Sequence, residues 1–150
     1  MKRAALTLLF CAMPVAVHAI DLAIGTWQKR DPKGVAMIMT IERAGAGLKI
    51  TYRFPGATAK GLENMTMTIV SPLDGSEAPV LLNDKPSAET MAIKRIDGSH
   101  SVTVVKMGGQ PFGTSRAELS ADGKTIKVEN ETAVSPPGKP DKTIEYWDRR

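Results

Sequence analysis

Residues 35–54 read VAMIMTIERAGAGLKITYRF, and their pattern decides the fold. In the first half, apolar side chains recur at every second position, ending at Ile41, which lies between polar Thr40 and Glu42. Residues 48–54 repeat the alternation, and the glycine-rich residues 44–47 separate the two runs. Alternation with period two puts one face of a β-strand on a core and the other in water. The stretch therefore predicts two neighbouring, half-buried strands.

The same alternation and the same turn signals continue along the chain. Asp-Gly and Gly-Gly pairs supply the positive φ that tight hairpins require, and they fall between candidate strands. The predicted strands lie near residues 24–30, 35–43, 48–54, 64–70, 78–82, 89–96, 100–107, 112–120, 124–133 and 142–149. The segment from Ser135 to Asp141 holds three prolines, which cannot pair within a sheet, so it predicts a loop.

Short strands in sequence order with short links predict an all-β domain. We expect an antiparallel up-and-down meander that closes into a β-barrel of 8–10 strands, because closure removes exposed sheet edges. A β-sandwich is the alternative. We assign residues 20–150 to this single domain.

The amino terminus has the features of a secretion signal. Lys2 and Arg3 precede an apolar run, and small Ala19 marks a cleavage point. The run is too short to span a bilayer, which takes about 20 apolar residues. We expect residues 1–19 to be removed and the protein to be exported to the periplasm or secreted. A buried amino-terminal helix and a lipid anchor on Cys11 are the alternatives.

Composition excludes several partners. The net charge of +4 includes the two basic residues of the signal, so the mature chain carries about +2. Basic residues do not cluster, which argues against nucleic acid as a partner. Cys11 is the sole cysteine and leaves with the signal, so the mature domain is predicted to lack a disulfide. We expect no membrane span and no cofactor.

Gly25-Thr26-Trp27 resembles the G-x-W motif that opens the first strand of lipocalins. In that family the tryptophan closes the barrel floor, and a basic residue near the last strand packs over it. The resemblance therefore implies a structural floor made by Gly25, Trp27 and Arg149, or Arg150 in place of Arg149. Trp147 shares a strand face with polar Glu145 and Arg149, so we predict that it is partly exposed.

A wider resemblance is to a group of small exported bacterial proteins that are described as lipocalin-like. The pieces that carry it are Thr40-Ile41-Glu42, Gly47–Thr51, Ala92–Asp97, Thr114-Ser115-Arg116 and Leu119–Thr125. A second lipocalin motif of the T-D-x type is missing, and no packing helix follows the last strand. The resemblance implies a barrel and little about function.

Candidate ligand-contacting residues are the inward members of the three best alternating strands. They are Met37, Met39, Ile41, Ile50, Tyr52, Phe54, Met65 and Met67. Methionine is flexible and suits an adaptable pocket or an irregular core. Thioethers also bind Cu(I), but we prefer the core or pocket interpretation and expect no metal site.

Catalytic patterns are weak. His100 is the sole histidine after the signal, and we interpret it as an exposed turn residue. Arg116 shares a polar face with Glu118 and is predicted to point outward. We therefore expect a non-enzymatic protein and no catalytic residue. Its barrel cavity would hold a small apolar or amphipathic ligand. The alternative is a protein with a filled core that binds another exported protein through loops or a sheet edge. The oligomeric state is not predicted.

Overall fold

The computed structural model describes residues 20–31, 35–57, 61–133 and 141–150. The predicted signal and most of the predicted proline-rich loop lie outside these residues. One helical turn, α1 (Ile20–Ala23), precedes the strands. The ten strands are β1 (Gly25–Lys29), β2 (Ile38–Ala44), β3 (Gly47–Arg53), β4 (Thr66–Ser71), β5 (Asp74–Leu82), β6 (Lys85–Arg95), β7 (His100–Met107), β8 (Gln110–Leu119), β9 (Thr125–Thr132) and β10 (Asp141–Arg149).

The strands form one closed antiparallel barrel in which each strand pairs with its sequence neighbours. Closure comes from β1 and β10, where Trp27 lies opposite Arg149 and Lys29 opposite Trp147. The predicted up-and-down barrel is confirmed, with ten strands. The alternative of a β-sandwich is wrong, because a sandwich consists of two separate packed sheets, whereas here the strand pairing continues around all ten strands.

The main difference from the predicted strands is at β5 and β6, which are longer than expected. Their pairing shifts register between Asp74 and Glu77 and again between Pro79 and Leu81. These irregularities break the period-two pattern from which strand ends are predicted. The two strands are joined at Asn83 and Asp84, which both have positive φ (48° and 64°). Asparagine and aspartate tolerate that conformation, so the turn needs no glycine.

Gly47 illustrates a different use of glycine. A Cβ atom at this position would collide with the backbone carbonyl oxygen of Ser71, across the pairing of β3 with β4. Backbone cannot move aside as a flexible side chain does, so only glycine fits. The glycine-rich break between the first two alternating runs therefore serves strand packing as well as the turn.

The barrel interior holds two groups of buried apolar side chains. The larger comprises Trp27, Met39, Ile41, Leu48, Leu119, Ile126 and Trp147. The smaller comprises Ile69, Ala78, Val80 and Ile93. Within the described residues, no helix is both long and apolar enough to cross a membrane.

Candidate ligand-binding cavity

A cavity of about 300 Å³ runs inside the barrel. This volume is at the lower end of the range of about 300–1,000 Å³ that small-molecule sites occupy. The cavity wall formed by β2, β3, β4 and β6 is apolar. The residues of that wall are Met37, Met39, Ile41, Leu48, Ile50, Tyr52, Ile69, Met91 and Ile93.

Five of the eight predicted ligand-contacting residues lie in this wall: Met37, Met39, Ile41, Ile50 and Tyr52. The other three lie outside the lining. Met67 packs against the smaller apolar group. Phe54 follows β3 and Met65 precedes β4, and both side chains are half-buried. Strand alternation brings residues to the inner face, but position along the barrel decides which of them reach the cavity.

Trp147 lies in the interior and not at the partly exposed position that its polar neighbours predict. It was predicted to be partly exposed, yet it is 3% exposed and lines the cavity. Its ring contacts Tyr52 edge-on, with ring centroids 5.9 Å apart. The prediction was wrong because it took polar neighbours on one strand face as a sign of solvent. Glu145 and Arg149 face the interior with Trp147 and find polar partners there.

Glu145 finds its partner in Lys29, whose Nζ lies 2.6 Å from Glu145 Oε1. The two side chains are 27% and 22% exposed, so the pair is mostly shielded. Burial raises the pKa of Tyr52 to about 12, and the negative charges of Glu145 and Glu89 act in the same direction. Burial also raises the pKa of Glu89. The end of the cavity at Glu145 and Tyr52 therefore has an ionic and polar character.

The wall opposite the apolar one carries a polar strip along β7, β8 and β9. The strip consists of Ser101, Thr103, Ser115 and Asn130, and the same wall also contains apolar Val105, Ala117, Leu119, Ile126 and Val128. The Ser115 hydroxyl donates a hydrogen bond to Asn130 Oδ1 at 2.6 Å. The apolar and polar pattern of β7 does not predict this strip, because Ser101 and Thr103 line the cavity while Val102 and Val104 lie outside the lining. Thr103 lies opposite Ser115 in the pairing of β7 with β8. This pairing would indicate a polar strip, but it can be recognised only when the strand register is known.

At the end of the barrel where β1 begins and β10 finishes, Trp27 is completely buried. Its Nε1–H donates a hydrogen bond to the Ala23 carbonyl at 2.9 Å. The Arg149 guanidinium lies over the indole, 4.4 Å from the ring centroid. It also donates hydrogen bonds to the carbonyls of Gly123 (2.8 Å), Ile24 (2.9 Å) and Leu22. We call this arrangement the tryptophan latch. Its partner is Arg149 and not the alternative Arg150.

Gly25 belongs to the latch for a steric reason. Its φ is +145°, and a Cβ atom there would lie 2.5 Å from an Arg149 guanidinium nitrogen. Any side chain would push the guanidinium off the indole. The glycine of the Gly-x-Trp motif thus follows from the space that the arginine needs.

The cavity opens beside the latch, at the turn between β6 and β7. The exposed residues of its lining all lie there: Arg95, Asp97, Gly98, Ser99 and His100. The Asp97 carboxylate accepts hydrogen bonds from the backbone N–H groups of Ser99 and His100, both at 2.8 Å. These bonds and a contact with the His100 ring lower the pKa of Asp97 to about 2. The turn is therefore held rigidly by its own carboxylate.

Ser99, His100 and Asp97 do not have the geometry of a catalytic triad. Ser99 Oγ and both Asp97 oxygens approach the same ring nitrogen, Nδ1 of His100, at 3.1 Å and 2.9 Å. A triad needs the serine on one ring nitrogen and the acid on the other. The second nitrogen, Nε2, instead faces Glu118 at 3.8 Å. Arg116, on the same outer face as Glu118, is exposed.

We found no protein-family model and no curated protein that matches this chain. Within the described residues, no three histidine, cysteine, aspartate or glutamate side chains are grouped as a metal would require.

Proposed function

We propose that this protein is an exported, non-enzymatic binding protein that holds a small apolar or amphipathic ligand inside its barrel. The observation that carries the proposal is the cavity of about 300 Å³ with one apolar wall. Packed protein interiors leave few voids larger than a water molecule. A space of this size therefore suggests a ligand site and not a filled core.

The polar strip opposite the apolar wall of the cavity favours an amphipathic ligand over a purely apolar one. Met37, Met39 and Ile50 offer an adaptable apolar surface, while Thr103 and Asn130 face it with hydrogen-bonding groups. A molecule with an apolar chain and one or two polar atoms would satisfy both walls.

We also propose that the chain belongs with the small exported lipocalin-like proteins that it resembles. Support comes from the tryptophan latch, in which Gly25, Trp27 and Arg149 take the roles that the resemblance implies. Export is supported by the basic and apolar composition of residues 1–19.

The alternative, an interaction protein that binds through a sheet edge or loops, has less support. The first and last strands pair with each other from Trp27 to Lys29, so closure removes the edges that a partner strand would use. Binding through loops alone would not explain the open interior.

The test is binding of a neutral apolar fluorophore, N-phenyl-1-naphthylamine, to the purified mature protein. Ala117 lines the cavity, whereas its neighbour Glu118 points outward, so Ala117→Leu fills the cavity and Glu118→Leu is the matched control. We expect saturable binding by the wild type, about tenfold weaker binding by Ala117→Leu, and unchanged binding by Glu118→Leu. Absence of saturable binding, or equal loss in both variants, would refute the proposed site.

Native mass spectrometry of freshly isolated protein gives an independent check. A co-purified small molecule that is lost on denaturation supports a ligand site, and its mass would identify the ligand class.

A further inference from the structure

Arg95 is a cation at the cavity mouth, and no side chain of the described residues forms an ion pair with it. It lies on the inner face of β6, two residues beyond buried Ile93, and lines the opening of the cavity. Its backbone N–H donates to the Leu73 carbonyl at 3.0 Å, which fixes where the side chain starts. Among the described residues, no carboxylate or carbonyl accepts a hydrogen bond from its guanidinium.

The neighbouring charges are already occupied. Asp97 directs its carboxylate into its own turn, where Ser99 and His100 hold it. Arg149, the other inward-facing arginine of this end, donates to three carbonyls and covers Trp27. Of the two inward-facing arginines that the structure describes at this end, Arg95 is therefore the one that stays available to a bound molecule.

We propose that Arg95 binds the monoanionic carboxylate head group of an amphipathic ligand whose apolar tail enters the cavity. This inference rests on the proposed binding function and names the ligand class. A guanidinium offers parallel N–H donors that match the two oxygens of a carboxylate. Asp97 nearby disfavours a doubly charged group such as a phosphate monoester, since a single arginine cannot balance it.

The tail direction follows from the lining. Arg95 lies opposite Ser101 at the turn between β6 and β7. Apolar lining residues continue away from this turn along the strands, from Ile41 and Ile50 to Tyr52, which contacts Trp147. A ligand lying this way keeps its charge at the exposed turn and buries its chain. The reverse orientation would bring the head group against the carboxylate of Glu145, which already occupies Lys29.

The test compares three probes of equal chain length: decanoate, 1-decanol and decylamine. Each displaces N-phenyl-1-naphthylamine from the wild type, from Arg95→Gln and from Arg116→Gln, an outward-facing control. We expect the wild type to prefer decanoate to 1-decanol by about tenfold to a hundredfold, with decylamine weakest. Arg95→Gln should abolish that preference and leave 1-decanol binding unchanged, and Arg116→Gln should behave as the wild type.

Two failures are distinguishable. If 1-decanol binds as tightly as decanoate in every variant, the cavity binds ligands but Arg95 does not select the head group, and this inference is overturned alone. If no probe binds to the wild type, the proposed function fails as well. Arg95 is exposed, so its replacement should not unfold the domain, and far-UV circular dichroism of each variant checks this.

Discussion

Replacing Trp27 by alanine tests whether the tryptophan latch holds the barrel closed. The indole is completely buried, and truncation of a buried tryptophan costs about 3–5 kcal/mol. Loss of the Nε1–H bond to Ala23 and of the stacked Arg149 places the expected value in the upper part of that range. Domains of this size are stable by about 5–15 kcal/mol, so the variant should be marginal or unfolded.

The assay is chemical denaturation of the mature protein followed by circular dichroism. Trp147→Ala is the matched comparison, because Trp147 is nearly as buried but already borders the cavity and so loses fewer packing contacts. We expect it to be the milder change. If Trp27→Ala proves equal or milder, the latch does not have the structural role assigned to it.

A double-mutant cycle isolates the stacked cation. Trp27→Leu, which removes the aromatic face, and Arg149→Met are measured singly and together, and the coupling free energy reports the interaction between the two side chains. We expect about 0.5–2 kcal/mol of favourable coupling, the range for a cation over an aromatic face. Coupling near zero would show that Arg149 stabilises the barrel only through the carbonyls it binds.

Three further outcomes are expected. Met39→Asp should unfold the domain by burying an unpaired charge, whereas Lys49→Asp on the outer face should be tolerated. Equal midpoints of chemical denaturation for the two variants would show that the predicted strand register is wrong. Raising the pH from about 10 to about 12 should destabilise the wild type, because the unfolded chain ionises its tyrosine first while Tyr52 keeps its proton. Tyr52→Phe should lack that component, and identical pH profiles of the two proteins would contradict the buried hydroxyl. Intact-mass measurement of exported protein should give a chain that starts at Ile20, and a retained, lipid-modified Cys11 would overturn this.

The strands with strict alternation were predictable because burial and polarity agree there. In β2 and β3, the apolar positions from Met39 to Tyr52 that alternate with polar residues face inward, and most of the polar ones face outward, as the sequence indicates. Apolar Ile38 lies between inward Met37 and Met39 and is absent from the cavity lining. One exception is Thr51, a polar residue of β3 that is buried beside Thr68, with hydroxyl oxygens 3.4 Å apart. Polarity alone therefore does not identify the solvent-facing residues even in a regular strand.

Strands β7 and β10 show where the sequence pattern fails. In β7, Thr103 lines the cavity while Val104 is 40% exposed. In β10, Glu145 lines the cavity while Ile144 is 58% exposed. A pattern of apolar and polar residues assumes that the interior is uniformly apolar. This barrel has a polar strip inside, and such violations are expected where a protein binds something.

The tryptophan latch also connects the proposed signal cleavage to the finished fold. Residues just after the proposed cut at Ala19 supply the carbonyls of Leu22, Ala23 and Ile24, which satisfy Arg149 and Trp27. Leaving those donors without partners would cost about 1–3 kcal/mol for each group that remains buried. A cut only a few residues later would therefore remove part of the barrel's own closure, whereas a cut after Ala19 keeps all three acceptors. The latch therefore limits how late the proposed cut could fall, because a chain that starts at or before Leu22 keeps all three acceptors.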